Sequence, residues 1–387
     1  MLAGDWANMT QAIWRSPLLP LLSQKGQTEN LSLGSGYRFK RDLLAYLEAY
    51  GQRKTGRLVD QLKKHDFSVV RAALVASVPS RQELNGLNSE RETIWGWPAL
   101  KEATSNIALK KTESKSQPHI VVQISSIATL GQTDKWLRET FFKSLSPSQM
   151  LKSERKKVSK FSIIFPTPDE IRRSLNGYGS GGSIHMKTES PAQKKQLEYM
   201  RPYLCRWAGD QDDTPGTNTR STLDTNNAPV REAGRRRAAP HIKTYIRFSD
   251  ADMSSIDWAM VTSANLSTQA WGAVPNAKGE VRICSWEVGV IVWPDLFVET
   301  DQENRESGLA KAGSAAMVPC FKRDVPSCAL ERDGESSDTS SSVTTLVGLR
   351  MPYDLPLKPY SRQDMPWCAN ATYTKPDWLG QTWTTAE

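Results

Sequence analysis

Apolar residues recur at helical spacing over residues 37–51, where Phe39, Leu43, Leu44, Tyr46, Leu47 and Tyr50 lie three and four apart and Gly51 supplies a stop. This pattern predicts a core-facing helix. Leu58 and Leu62 predict a second helix over about 56–64. Residues 67–78 read as a buried strand ending at Pro79. Residues 80–100 are polar apart from Trp95 and Trp97 and read as a crossover. Further strands are expected at 118–124, 161–165, 243–248, 258–262 and 287–293. A helix is expected after Gly131, capped by Thr133 or Asp134, with Trp136, Leu137, Phe141 and Leu145 along one face. Short apolar runs alternating with helical ones predict an α/β fold. Asp169–Leu175 and residues 189–208 read as further helices, the second with Tyr199, Leu204 and Trp207 on its apolar side.

The patterning fades in two places. Residues 209–236 are rich in Asp, Thr, Asn, Gly and Pro, and residues 299–345 are acidic and then Ser-rich. Both are expected to be weakly ordered insertions. The first ends in Arg231 and Arg235 to Arg237, which suit either a solubilising run or contact with an acidic polymer. The basic run 151–160 has the same two uses.

Composition narrows the partners. The 387 residues carry 50 Lys and Arg against 42 Asp and Glu, a net charge of +8. That excess favours an acidic partner, nucleic acid or a membrane surface. No apolar run approaches the length of a membrane span. The N-terminus lacks the cationic region and apolar core of a signal peptide. Five scattered cysteines (Cys205, Cys284, Cys320, Cys328, Cys368) form no C-x-x-C pair, so a zinc site is not expected and reduced thiols are.

Candidate chemistry concentrates between 240 and 290. His241 and Lys243 are two apart, so on a strand they share a side. A cation beside an imidazole suits a phosphate ester: the ammonium holds oxygens while the imidazole moves a proton or attacks. Asn265 adds an uncharged donor, and Glu287 is a carboxylate able to hold an imidazole tautomer. Upstream, the strand at 118–124 runs into a hydroxyl-rich turn with Ser125, Ser126 and Thr129. Such a turn either binds phosphate or satisfies its own backbone. The Gly-rich run Gly177 to Ser183 lacks the spacing of a nucleotide-binding loop, and His185 after it reads as incidental.

His241-Ile-Lys243-Thr-Tyr, Thr262-Ser-Ala-Asn265-Leu-Ser267 with Ala270-Trp271-Gly, and Trp286-Glu287-Val-Gly-Val together resemble the second catalytic motif of the tyrosyl-DNA phosphodiesterases, within the phospholipase D superfamily. The resemblance implies a phospholipase D-like α/β fold of mixed β-sheets sandwiched by helices, built as two pseudo-symmetric halves. Residues 1–100 are expected to be the remnant of the first half. Residues 101–387 are expected to be the second, with insertions at about 209–236 and 299–345. Asp5-Trp6, Gln11, Trp14, Ser16 and Pro17 resemble text that follows the first His-x-Lys motif in the family. The first motif itself, with its nucleophilic histidine, is expected to be missing, leaving the first half incomplete and its core partly exposed.

The resemblance implies hydrolysis of 3′-phosphotyrosyl links between topoisomerase I and DNA, a nuclear DNA-repair and 3′-exonuclease-type activity that needs no metal or other cofactor. A first-motif histidine forms a phosphohistidine. His241 would be the second histidine, general acid and then base. Lys243 and Asn265 would hold phosphoryl oxygens, Glu287 would orient His241, and Ser125, Ser126, Thr129 and Ser267 would touch the DNA strand. Expected partners are single-stranded or 3′ DNA ends carrying peptide adducts, with no membrane, and a monomer. Without the nucleophile the chain is expected to turn over such esters far more slowly than one carrying both motifs. Two alternatives stay open: a non-catalytic form that binds DNA ends, and a phospholipase D-type lipid phosphodiesterase. Against the latter, the Asp that follows His-x-Lys in the lipases is unmatched; after Lys243 come Thr, Tyr, Ile, Arg247 and Phe248.

Overall fold

The computed structural model describes residues 8–23, 30–109, 117–146, 159–207, 229–298, 314–326 and 344–384. Asp5, Trp6, Cys328, the basic run 151–158 and most of both expected insertions lie outside these residues. Helix α1 (Gly36–Ala49) begins where the Ser35 hydroxyl accepts from the Arg38 N–H, and it buries Phe39 and Tyr46. Gly51 then turns the chain at φ 93° into α2 (Gln52–Lys63). A residue with a Cβ adopts that angle only at a cost.

The chain continues through β1 (Ala73–Ser77), β2 (Ser80–Glu83), α3 (Gly96–Asn106) and β3 (His119–Gln123). A π-helix, Trp136–Phe142, leads into the short α4 (Lys143–Leu145). Then come β4 (Lys160–Ile164), α5 (Pro168–Arg172), α6 (Pro191–Met200) and β5 (Leu204–Cys205). The last part holds β6 (Thr244–Phe248), β7 (Ile256–Thr262), α7 (Thr268–Trp271), β8 (Glu280–Ile283), β9 (Glu287–Val292), β10 (Ser314–Cys320) and β11 (Thr344–Arg350).

One mixed sheet dominates, in the order β1-β9-β7-β6-β3-β4-β5, with β10 joined to β7 and carrying β11. The pairs β3–β4 and β4–β5 are parallel, while β3–β6, β6–β7, β7–β9 and β1–β9 are antiparallel. Strand alternation splits the core between two faces. Tyr245 of β6 packs with Phe141, Trp258 and Trp271 in one cluster, while its neighbours Ile246 and Phe248 join Val121 and Ile256 in another. A third cluster seats Phe39 and Tyr46 of α1 on Leu74 and Ala76 of β1. The expected α/β plan of mixed sheet and helices is the one found.

Several local expectations change. The crossover at 80–100 contains β2, and the boundary placed near 101 falls inside α3. The helix after Gly131 starts late, at Trp136, and has no side-chain cap: Asp134 instead pairs with Arg138 at 3.3 Å. The helix expected over 189–208 stops at Met200, because Pro202 cannot donate to a continuing helix and sits in a 3-10 turn. Within the expected insertion at 299–345, Ser314–Cys320 is strand β10, whose Ala315 and Met317 are buried. Near the N-terminus, Ile13, Leu18 and Leu21 are 74 %, 96 % and 70 % exposed, an apolar stretch that the described residues leave uncovered.

His119, on β3, is 3 % exposed and lies 2.9 Å from the Ser162 hydroxyl. Burial, helped by the Lys160 charge, lowers its pKa from 6.5 to about 4. The unfolded chain therefore binds more protons than the folded one between those values, so stability falls as pH drops through that window. The full effect of this residue is roughly 3 kcal/mol. Urea unfolding at pH 4.5 and 7 is expected to show that loss, and His119→Gln is expected to reduce it.

Candidate active site

The sheet topology brings the candidate residues to one end of the sheet. Gln123 at the end of β3 pairs with Thr244 at the start of β6, which pairs with Val261 near the end of β7. Thr262 in turn pairs with Gly289 near the start of β9, and Glu287 there pairs with Ser77 at the end of β1. The Ser125 turn, His241, Lys243, Asn265 and Glu287 thus all emerge at the same edge.

His241 precedes β6, and its backbone is fixed from far away. The Thr10 hydroxyl accepts from the N–H groups of His241 at 2.9 Å and Ile242 at 3.2 Å, and Thr10 N–H donates to Ala239 O at 2.8 Å. Lys243 is 7 % exposed. Its Nζ donates to the His241 carbonyl at 2.7 Å and stands 3.4 Å from His241 Nε2. Asn265 closes the other side. Its Oδ1 accepts from the backbone N–H of Ser125 at 3.0 Å and of Ser126 at 2.9 Å, and from the Ser125 hydroxyl at 3.3 Å. That contact fixes the hydroxyl turn and leaves the Asn265 amide nitrogen as a donor. The loop is braced further where Trp271 Nε1 donates to Asn265 O at 3.0 Å and Tyr245 donates to Ala264 O at 3.0 Å.

His241 and Asn265 line a cavity of about 580 Å³ together with Ser125, Ser126, His185 and residues of the Gly-rich segment, while Lys243 lies behind His241 and is not part of the lining. Gly181 lets that segment lie on Trp367: a Cβ there would fall 2.2 Å from the buried indole, whose Nε1 donates to Gly181 O at 3.0 Å. Trp367 therefore packs in the core. Gly179 and Gly182 leave the segment open, since a Cβ on either would meet nothing within 4 Å. Ser180, also on the wall, is 4 % exposed and its hydroxyl has no hydrogen-bond partner. An orphaned buried hydroxyl costs about 1–3 kcal/mol, so this wall is polar and undersatisfied.

The electrostatics suit an anion. Burial lowers His241 from 6.5 to about 4, with the Lys243 and His185 charges adding to the effect. Burial lowers Lys243 from 10.5 to about 8, against the raising pull of Glu287. Burial raises Glu287 above its usual carboxylate range, against the Ser263 hydrogen bond and the Lys243 charge. At neutral pH His241 is thus an uncharged imidazole, able to accept a proton. An anion beside Lys243 offsets that ammonium and makes the imidazolium easier to form.

Not every expected residue lies at the cavity. Ser125 and Ser126 line it; Thr129 is exposed away from its wall. Ser267 is buried and caps α7, accepting from Gln269 N–H at 3.0 Å and Ala270 N–H at 3.3 Å. Glu287 accepts from the Ser263 hydroxyl at 2.5 Å, and its charge acts on Lys243 rather than on His241. Of the arginines before His241, Arg231 donates to Met253 O and Asp252 O, and Arg236 pairs with Glu232 at 3.0 Å. These two hold the chain entering the site. Thr10, Ser180 and His185 carried no signal strong enough to single them out as site residues. Among the described residues no cluster of three or more His, Cys, Asp or Glu is placed to hold a metal, and no helix is long and apolar enough to cross a membrane.

A family model described as tyrosyl-DNA phosphodiesterase matches residues 1–361. A probable tyrosyl-DNA phosphodiesterase of Schizosaccharomyces pombe is 30 % identical over 361 residues, covering 90 % of this chain and 57 % of that protein. A tyrosyl-DNA phosphodiesterase 1 of Arabidopsis thaliana is 27 % identical over 405 residues, covering 98 % and 57 %. The chain thus spans little more than half the length of these relatives. The crystal structure of the yeast tyrosyl-DNA phosphodiesterase superposes with a TM-score of 0.54 at 20 % identity, covering 91 % of this chain and 68 % of that one, which establishes the shared fold.

Proposed function

This chain belongs to the tyrosyl-DNA phosphodiesterase family, and from that premise we propose that its cavity binds the phosphoryl group of a DNA 3′ end esterified to tyrosine. One observation carries the reading: His241 Nε2 lies 3.4 Å from Lys243 Nζ, at a cavity that Asn265 also lines. Lys243 supplies charge and Asn265 an amide donor to the non-bridging oxygens, on which charge spreads as the ester bond breaks. Water forms the new bond to phosphorus as the phosphorus–tyrosine bond breaks; His241 gives a proton to the departing tyrosine oxygen and recovers one from that water, whose oxygen stays on the 3′-phosphate. The Ser125–Ser126 turn, held by Asn265, borders the space for the 3′ nucleotide. Glu287 sustains the charge on Lys243. On this reading the substrate would be met in the nucleus.

The test is incubation with an oligonucleotide carrying a 3′-phosphotyrosine, followed by mass spectrometry. Release of tyrosine with a 3′-phosphate product, abolished by His241→Ala, supports the catalytic reading. Salt-sensitive binding without release supports the second reading, a chain that holds DNA ends. Neither binding nor release rejects both.

A further inference from the structure

Two of the four histidines in the chain, His241 and His185, line the same cavity. The others lie apart: His65 Nδ1 is 2.9 Å from Gln61 O, and His119 is buried against Ser162. His185 is tied to the hydroxyl turn through its backbone. Its N–H donates to Ser125 O at 3.0 Å and its carbonyl accepts from Ile127 N–H at 2.9 Å, a bridge that sets it beside Ser126. Asn265 fixes the same two serines. The His185 Cα is therefore held in register with Asn265, while its side chain is exposed and, among the described residues, makes no hydrogen bond through its ring. Ser180, five positions back on the same wall, is a buried hydroxyl without a hydrogen-bond partner. A wall with two unused polar groups, opened by Gly179 and Gly182, is built to receive a ligand rich in acceptor oxygens.

We infer that His185 is a phosphate-binding residue of this cavity, its ring N–H donating to a non-bridging oxygen alongside Lys243 and Asn265. The inference rests on the reading of the cavity as a phosphoryl site, and it adds a donor that the His-x-Lys motif does not contain.

The test is proton NMR of the four imidazole C2–H signals, assigned by single substitutions, during titration of the whole chain with inorganic phosphate. The His185 and His241 signals are expected to move together and saturate with one Kd. His185→Ala is expected to weaken phosphate binding roughly three- to tenfold, and His185→Gln, which keeps an N–H donor, to recover part of it. Unchanged His65 and His119 signals show that each variant is folded. If the His241 signal moves while that of His185 stays still, phosphate binds without His185 and the inference falls, while the phosphoryl reading stands. If neither signal moves, both fall.

Discussion

Replacing Arg247 with methionine is expected to lower the free energy of unfolding by about 3–5 kcal/mol. Arg247 lies on β6, 6 % exposed, and its Nε donates to Asp257 Oδ2 on β7 at 2.8 Å. Its Nη1 donates to the hydroxyls of Ser146 at 3.1 Å and Ser159 at 2.8 Å, and Ser249 donates to Asp257 Oδ1 at 2.7 Å. The ion pair is thus fully dressed with hydrogen bonds, which offsets the desolvation of both charges. Removing the guanidinium strands a buried carboxylate with one hydroxyl donor. The double variant Arg247→Met with Asp257→Leu removes both charges and is expected to regain most of the loss. Urea unfolding of the three proteins decides it: a single-variant loss below about 1 kcal/mol would mean that water reaches Asp257.

Loss of the Lys243 ammonium is expected to weaken binding of a 3′-phosphorylated oligonucleotide at least tenfold, and to cut any turnover of the tyrosyl ester by roughly 100- to 1000-fold. The lysine is buried, with its Nζ donating to the His241 carbonyl at 2.7 Å. The wild-type chain carries its own control in pH. With its pKa lowered by burial to about 8, Lys243 is charged below that value and neutral above it. Phosphate affinity is therefore expected to fall as pH rises through about 8, by up to roughly one log unit per pH unit. Calorimetric titrations at pH 7 and 9 measure this. A flat profile in the wild type, or Lys243→Ala retaining full affinity, would remove the lysine from the site.

How much of this was readable beforehand depends on how local each feature is. The buried strands at 118–124, 161–165, 243–248, 258–262 and 287–293 are runs of apolar residues bounded by breakers, and β3, β4, β6, β7 and β9 lie within a few residues of them. The join of β1 to β9 and the parallel pairing of β10 with β11 depend on contacts far apart in the chain, so no local period announces them. Ser267 carries the opposite lesson. A serine followed by Thr-Gln-Ala-Trp is a helix-capping pattern by itself, and capping is the use the structure makes of its oxygen. His185 was hidden because a single histidine beside a Gly-rich run has no signature until the backbone bridge to Ser126 is seen.

The Thr10 hydroxyl holds the His241 amide across 231 positions of sequence. That one contact makes the placement of the imidazole a long-range property of the chain. Whatever disturbs residues 8–10, whether a protease cut, a bulky fused partner or a methyl in place of that hydroxyl, would be felt as a misaimed ring at the far end of the polypeptide, with β6 itself still intact.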